Sequence, residues 1–272
     1  MQNTNSLIGS HDILLVTLDT LRYEVAVAAL ASGQTPSLAR YLPDDGWERR
    51  HTSGGFTYSA HHAFLAGFLP TPAEPGLHPR LFALRFEGSE TIDDNTCVLD
   101  GANLVEALSL RGYHTACVGG VGFFNKRTPL GCVLPNLFAE SHWSVELGVT
   151  NPRSTEHQLA AARSLVERTA TDRRIFMLLN VSALHQPNRF YLEGAVHDSP
   201  QSMAAALAYV DGHLGAFVEW MRKRAPLLLI LTSDHGTAYG EDGYVGHRHA
   251  HPVVWTVPYA EAVLERLGGG AS

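Results

Sequence analysis

Three short apolar runs organise the chain, and each ends in residues that can do chemistry. Residues 12–18 (DILLVTL), 174–181 (RIFMLLNV) and 226–230 (PLLLI) are nearly unbroken and are bounded by turn signals. Such runs read as strands buried on both faces. The first is followed by Asp19 and Thr20, the second by Ser182 to His185, and the third by Leu231 and Thr232 and then Ser233-Asp234-His235-Gly236. In open parallel sheets, ligands sit at the carboxyl ends of strands.

Between and around these runs the pattern predicts helices over 37–42, 58–66, 103–110, 155–169 and 203–222. Thr35 is placed to cap the first of these, with Pro36 at its opening position. Thr57 sits where the second would be capped, and Gly67 fits its C-terminal stop. Residues 47–52 read as a strand nearer a sheet edge and 113–118 as a further strand. The cluster Gly119-Gly120-Val121-Gly122 comes next; it serves either a close backbone approach to a ligand or a tight turn. Residues 71–95 are rich in Pro, Gly and charge, and read as a long surface excursion that shapes specificity. Residues 123–141 look irregular, and 255–259 return to apolar character. With loose ends at 1–10 and 267–272, the strand–helix alternation implies a single doubly wound α/β domain over 11–266, its sheet mostly parallel with helices on both faces.

Composition narrows the function. The net charge of −7 on 272 residues argues against a nucleic-acid-binding surface. No apolar stretch is long enough to span a bilayer, and residues 1–10 lack the features of a signal peptide. Three cysteines without CxxC spacing imply reduced thiols and a cytoplasmic setting. Histidine is abundant at 15 residues. His247, His249 and His251 alternate, so on an extended segment they would face one side and one pocket. Asp and His together suit zinc or manganese. Asp19 either binds metal or caps the next helix, and Thr57 is either a helix cap or a nucleophile activated by a metal.

In this order the pieces resemble the alkaline phosphatase superfamily, and most closely its sulfatase-like branch. The segment 13–22 (ILLVTLDTLR) looks like the first sulfatase strand, whose Asp binds metal; here that is Asp19. Residues 35–38 (TPSL) are similar to a TPNLD turn, and 57–70 (TYSAHHAFLAGFLP) lie along the CTPSRAALLTGRYP signature, which puts Thr57 on the nucleophile. Residues 111–119 resemble GYxTAxxGK, residues 180–187 a strand ending in APHxP, and residues 232–247 the SDHGE…GEHG element.

The departures from that pattern redirect the expected activity. Sulfatases convert a Cys or Ser nucleophile to formylglycine, which Thr57 cannot become. The family arginine is replaced by His61, and two family lysines by Gly120 and His247. The smaller C-terminal domain of sulfatases is expected to be missing. The resemblance thus implies a metal-dependent hydrolase of phosphomonoesters or phosphodiesters with a phospho-Thr57 intermediate. Asp19, Thr57, Asp234 and His235 would hold a divalent ion, with zinc or manganese favoured over magnesium or calcium. His185, with His247, His249 or His251, would bind a second ion or protonate the leaving oxygen, and His61 would contact substrate in the arginine's place. The expected partner is a small phosphate ester rather than nucleic acid or membrane, and a homo-oligomer stays open. A sulfatase, a phosphotransferase of the same superfamily and a non-catalytic metal-binding partner protein are the rival readings.

Overall fold

All seven residues of the run Asp12–Leu18 are buried, in the strand at the middle of a seven-stranded sheet. The computed structural model describes residues 3–66 and 103–268. In chain order the elements are β1 (Asp12–Leu18), α1 (Tyr23–Ala31), α2 (Pro36–Ala39), β2 (Glu48–His51), α3 (Thr57–Ala66), α4 (Leu104–Leu110), β3 (His114–Val118), α5 (Pro129–Val133), β4 (Glu140–His142), α6 (Ser154–Arg168), β5 (Ile175–Val181), α7 (Pro200–Met221), β6 (Leu227–Thr232), β7 (Ala238–Tyr239), β8 (Val245–Gly246), α8 (Pro252–Trp255) and β9 (Thr256–Leu264).

The sheet order is β2-β9-β6-β1-β5-β3-β4. β6, β1, β5, β3 and β4 are parallel, and this is the α/β architecture that the apolar runs predict. Side chains alternate along β1, so Leu14, Val16 and Leu18 enter one core while Ile13 and Leu15 enter the other. The first core is covered by α1, α6 and α7, through residues such as Ala26, Leu165 and Leu214; the second is covered by α3 and α4, through Leu65 and Val105. The carboxyl ends of β5, β1 and β6 lie side by side at the edge where open parallel sheets bind ligands.

Four differences from the sequence pattern stand out. α1 fills 23–31, where the alanine-rich run has no clear polar face to mark a helix. β9 is a full strand, antiparallel to both β6 and β2, although it carries Pro258; the proline's carbonyl accepts from Ser233 N at 3.2 Å. Thr35 makes no side-chain cap to α2, which ends at Ala39. Residues 123–141 contain α5 and the start of β4. Gly67 and the excursion 71–95 lie outside the described residues. Among the described residues no helix is long and apolar enough to cross a membrane.

Candidate active site

The carboxyl ends of β1 and β6 bring Asp19, Asp234 and His235 together. One ligand atom from each lies within 4.8 Å of the others, and all three side chains are buried. Local backbone explains the convergence. Thr20 is forced into the left-handed region at φ 64°, which aims its N–H at Asp234 Oδ1, 3.1 Å away. His235 N donates to the same oxygen at 3.0 Å. His235 is oriented in turn by Gly236, whose carbonyl accepts from its Nδ1 at 2.8 Å. Residue 236 must be glycine, because a Cβ there would stand 1.9 Å from the Val253 carbonyl oxygen. A carbonyl only accepts, so Nδ1 carries the proton and Nε2 is bare.

That bare nitrogen is 3.3 Å from Thr57 Oγ1, and the Thr57 hydroxyl also reaches Asp19 Oδ2 at 3.5 Å. Thr57 is the first residue of α3 rather than its cap. Phe56 O takes the first helical bond, from Ala60 N, so the hydroxyl stays free for the site at the positive end of the helix.

Electrostatically the cluster is a pair of buried acids beside an imidazole. Burial first, then the neighbouring Asp234 charge, pushes the Asp19 carboxyl up to about 6. Burial likewise pushes Asp234 up to about 6, and it pulls His235 down. Asp19 Oδ1 and Asp234 Oδ2 are buried with no hydrogen-bond partner. Two unpartnered carboxylate oxygens beside a bare imidazole nitrogen are a donor set that fits a divalent cation, and leaving such groups unpaired in the interior is costly.

His185 and His247 lie at the rim. With Thr57 they line a cavity of about 270 Å³. The His247 ring centroid is 4.5 Å from that of His235 and 5.8 Å from that of His185. His185 Nδ1 donates to Gln186 O at 2.6 Å, which leaves its Nε2 uncommitted. Burial pushes His247 down to about 3, so it is a neutral ring.

Three sequence expectations need correction. His61 does not contact the cavity. It is fully buried, with Nδ1 donating to Thr57 O at 2.8 Å and Nε2 accepting from Thr17 Oγ1 at 2.9 Å, so it props the first turn of α3 from behind. His249 and His251 are not with the acidic pair. The alternation argument assumed an extended segment, but Gly246 (φ 81°) and Arg248 (φ 74°) are left-handed and turn the chain. His247 therefore enters the site while His249 stacks on Tyr244 and lines a separate cavity with His51 and Trp255. His251 caps α8 by accepting from Val253 N and pairs with Asp242 at 3.1 Å.

Two residues of the site escaped the sequence reading. Asn180 Nδ2 donates to Asp19 Oδ2 at 3.0 Å, and its Oδ1 accepts from Gly120 N and Val121 N at 3.1 and 3.3 Å. It ties a carboxylate of the cluster to the loop that forms the cavity wall. Its register partner Thr17 links it to His61. The available signal was a lone polar residue near the end of each otherwise apolar strand.

Comparison with known proteins agrees with this fold. The family model described as Sulfatase matches residues 11–259. No curated protein matches significantly. The soluble domain of lipooligosaccharide phosphoethanolamine transferase A from Neisseria meningitidis superposes with a TM-score of 0.64 at 14% identity, covering 94% of this chain and 77% of that one. The C-terminal periplasmic domain of EcEptC from Escherichia coli, in complex with Zn, gives 0.64 at 13% identity, covering 94% and 74%. A protein in the alkaline phosphatase superfamily from Vibrio parahaemolyticus gives 0.59 at 16% identity, covering 94% and 61%. At these identities the solved structures speak for the fold alone. The family match spans every residue of the described site, and the chain belongs to the Sulfatase family.

Proposed function

We propose that the protein is a metal-dependent hydrolase of phosphate esters that uses Thr57 as its nucleophile. The carrying observation is the position of the Thr57 hydroxyl, within 3.5 Å of Asp19 Oδ2 and of His235 Nε2 and open to a cavity. Members of the superfamily act on phosphate or sulfate esters. The absence of a Cys or Ser at position 57 favours phosphate, since threonine cannot yield the sulfatase aldehyde.

Asp19, Asp234 and His235 would hold the ion, with zinc supported by the zinc complex of a fold neighbour. A bound divalent ion lowers the pKa of a neighbouring hydroxyl and offsets charge on the transferring phosphoryl group. Thr57 Oγ1 would release its proton to water and form a bond to phosphorus as the bond to the leaving oxygen breaks. His185, on the cavity wall with Nε2 free of other partners, would deliver a proton from Nε2 to that oxygen when its ring is protonated. Water attacks the phospho-Thr57 ester, phosphate departs, and Thr57 regains its hydroxyl proton. The amino end of α3 favours the anion throughout. Transfer to an alcohol instead of water is the second reading, favoured by the phosphoethanolamine transferase among the fold neighbours.

The test is turnover of p-nitrophenyl phosphate, bis(p-nitrophenyl) phosphate and p-nitrophenyl sulfate by zinc-loaded protein. Thr57→Ala is expected to lose phosphoester turnover by about 10³-fold or more. A sulfate preference, or a fully active Thr57→Ala, contradicts the proposal. Turnover that appears only with an added alcohol selects the transferase reading.

A further inference from the structure

We infer that the site is built for singly charged phosphodiesters carrying one apolar, aryl-sized ester group, which sits in the cavity beside Thr57. The inference rests on the phosphoesterase reading above and concerns the kind of ester the site accepts.

The first observation is the cavity's wall. Beyond Thr57 and the two histidines, its side chains are mostly apolar, with Val121, Phe123, Leu130 and Val149 among them. The wall is held in place. Phe123 packs against Phe56 and Tyr58, with ring centroids 6.0 and 5.7 Å apart. Asn180 fixes the backbone at Val121, and Thr128 caps α5 by accepting from Gly131 N at 3.0 Å. A preformed apolar recess of about 270 Å³ has room for an aromatic ring or a short alkyl chain and gains by removing it from water.

The second observation is charge. No lysine or arginine among the described residues lines the cavity. Nor does Gly120 leave room for one: a Cβ there would lie 2.5 Å from Ser182 Cβ and 2.7 Å from Asn180 O. The carboxylates of Asp19 and Asp234 already offset the two charges of a divalent ion. A phosphomonoester is mostly dianionic at neutral pH and would bring a second charge that no lysine or arginine among the described residues of the cavity answers. A diester brings one charge, and its second organic group covers the apolar wall.

Isothermal titration of the zinc-loaded protein with three unreactive or slow ligands tests this. Diphenyl phosphate is a monoanion with aryl groups, dimethyl phosphate a monoanion without them, and phenyl phosphate a dianion with one. The expected order places diphenyl phosphate about tenfold or more tighter than dimethyl phosphate, and tighter than phenyl phosphate. Val149→Thr, an isosteric polar change, and Leu130→Asn are each expected to shrink the diphenyl-to-dimethyl ratio at least threefold; Val149→Thr suffices if Leu130→Asn does not fold. Tighter binding of phenyl phosphate than of diphenyl phosphate, or a ratio unchanged by Val149→Thr, overturns the inference. The same titrations on Thr57→Ala separate the two claims. The expected binding order together with full Thr57→Ala turnover upholds the cavity and overturns the nucleophile. A reversed order together with Thr57-dependent turnover overturns the cavity alone.

Discussion

β1 carries a buried aspartate at each end, and the two are treated in opposite ways. Asp12, at the amino end, is 1% exposed, accepts from Ile175 N at 2.9 Å, and has Arg224 and Arg174 at 3.7 and 3.8 Å. Burial raises its pKa, and the Ile175 hydrogen bond and the two guanidiniums oppose the rise. Asp19, just past the carboxyl end, is fully buried and faces another acid, Asp234, with an asparagine for support. One end of the strand supplies its own counter-charge. Asp12 Oδ2 also accepts no hydrogen bond but has Arg224 beside it, whereas Asp19 Oδ1 and Asp234 Oδ2 have neither a hydrogen bond nor a guanidinium among the described residues, and that imbalance marks a site for an incoming cation.

The sharpest way to break the self-neutralised end is Arg224→Met. It removes a largely buried cation from Asp12, along with its bonds to the Ala170 and Arg173 carbonyls. We expect a loss of about 3–5 kcal/mol in urea unfolding. A loss near zero would mean that Arg174 alone suffices.

The opposite sign is expected at the other end. In chelator-treated protein, Asp234→Asn should gain about 2–3 kcal/mol at pH 8 by removing a charge that burial disfavours and that repels Asp19. The pH dependence carries the same sign. Asp19 and Asp234 titrate near 6 in the fold against 3.8 outside it, so the folded state holds their protons more tightly. Metal-free stability should be highest below about pH 4 as far as these groups are concerned, and fall as pH rises through about 6. Asp234→Asn should flatten that fall in a thermal-melt series, and saturating zinc should offset it in the wild type. A slope unchanged by Asp234→Asn would remove the like-charge account.

A smaller effect is expected from Asn180→Leu, which keeps the volume and removes the donor to Asp19. Zinc affinity measured by competition with a chelating dye should fall about 10–100-fold. Wild-type affinity would demote Asn180 to a fold residue.

Some of this was legible in the sequence and some was not, according to how each feature is encoded. Asp19, Asp234 and His235 could be found because a buried parallel strand needs a continuous apolar run, and a charged residue directly after one is conspicuous. The same runs set the centre of the sheet. Thr57 came from spacing within the family signature, since a threonine at a helix start is ordinarily a cap. His249 and His251 misled because alternation predicts a common face only on extended backbone, and the left-handed Arg248 is not written in the residue pattern. His61 misled because replacing an arginine in a motif says nothing about how deep the replacement lies. The cavity wall from Val121 to Val149 was hidden in a stretch of short turns, where apolar residues have no period to read.

The most direct test of the account is a zinc titration of the metal-free protein by calorimetry, with Asp19→Asn, Asp12→Asn and the double variant His249→Ala/His251→Ala alongside. The account predicts a tight site in the wild type, weakened about 100-fold or more in Asp19→Asn. It predicts affinity within about twofold of wild type in Asp12→Asn and in the histidine double variant, because neither touches the cluster. Wild-type zinc affinity in Asp19→Asn, or its loss on removing His249 and His251, would contradict the placement of the metal centre between β1 and β6.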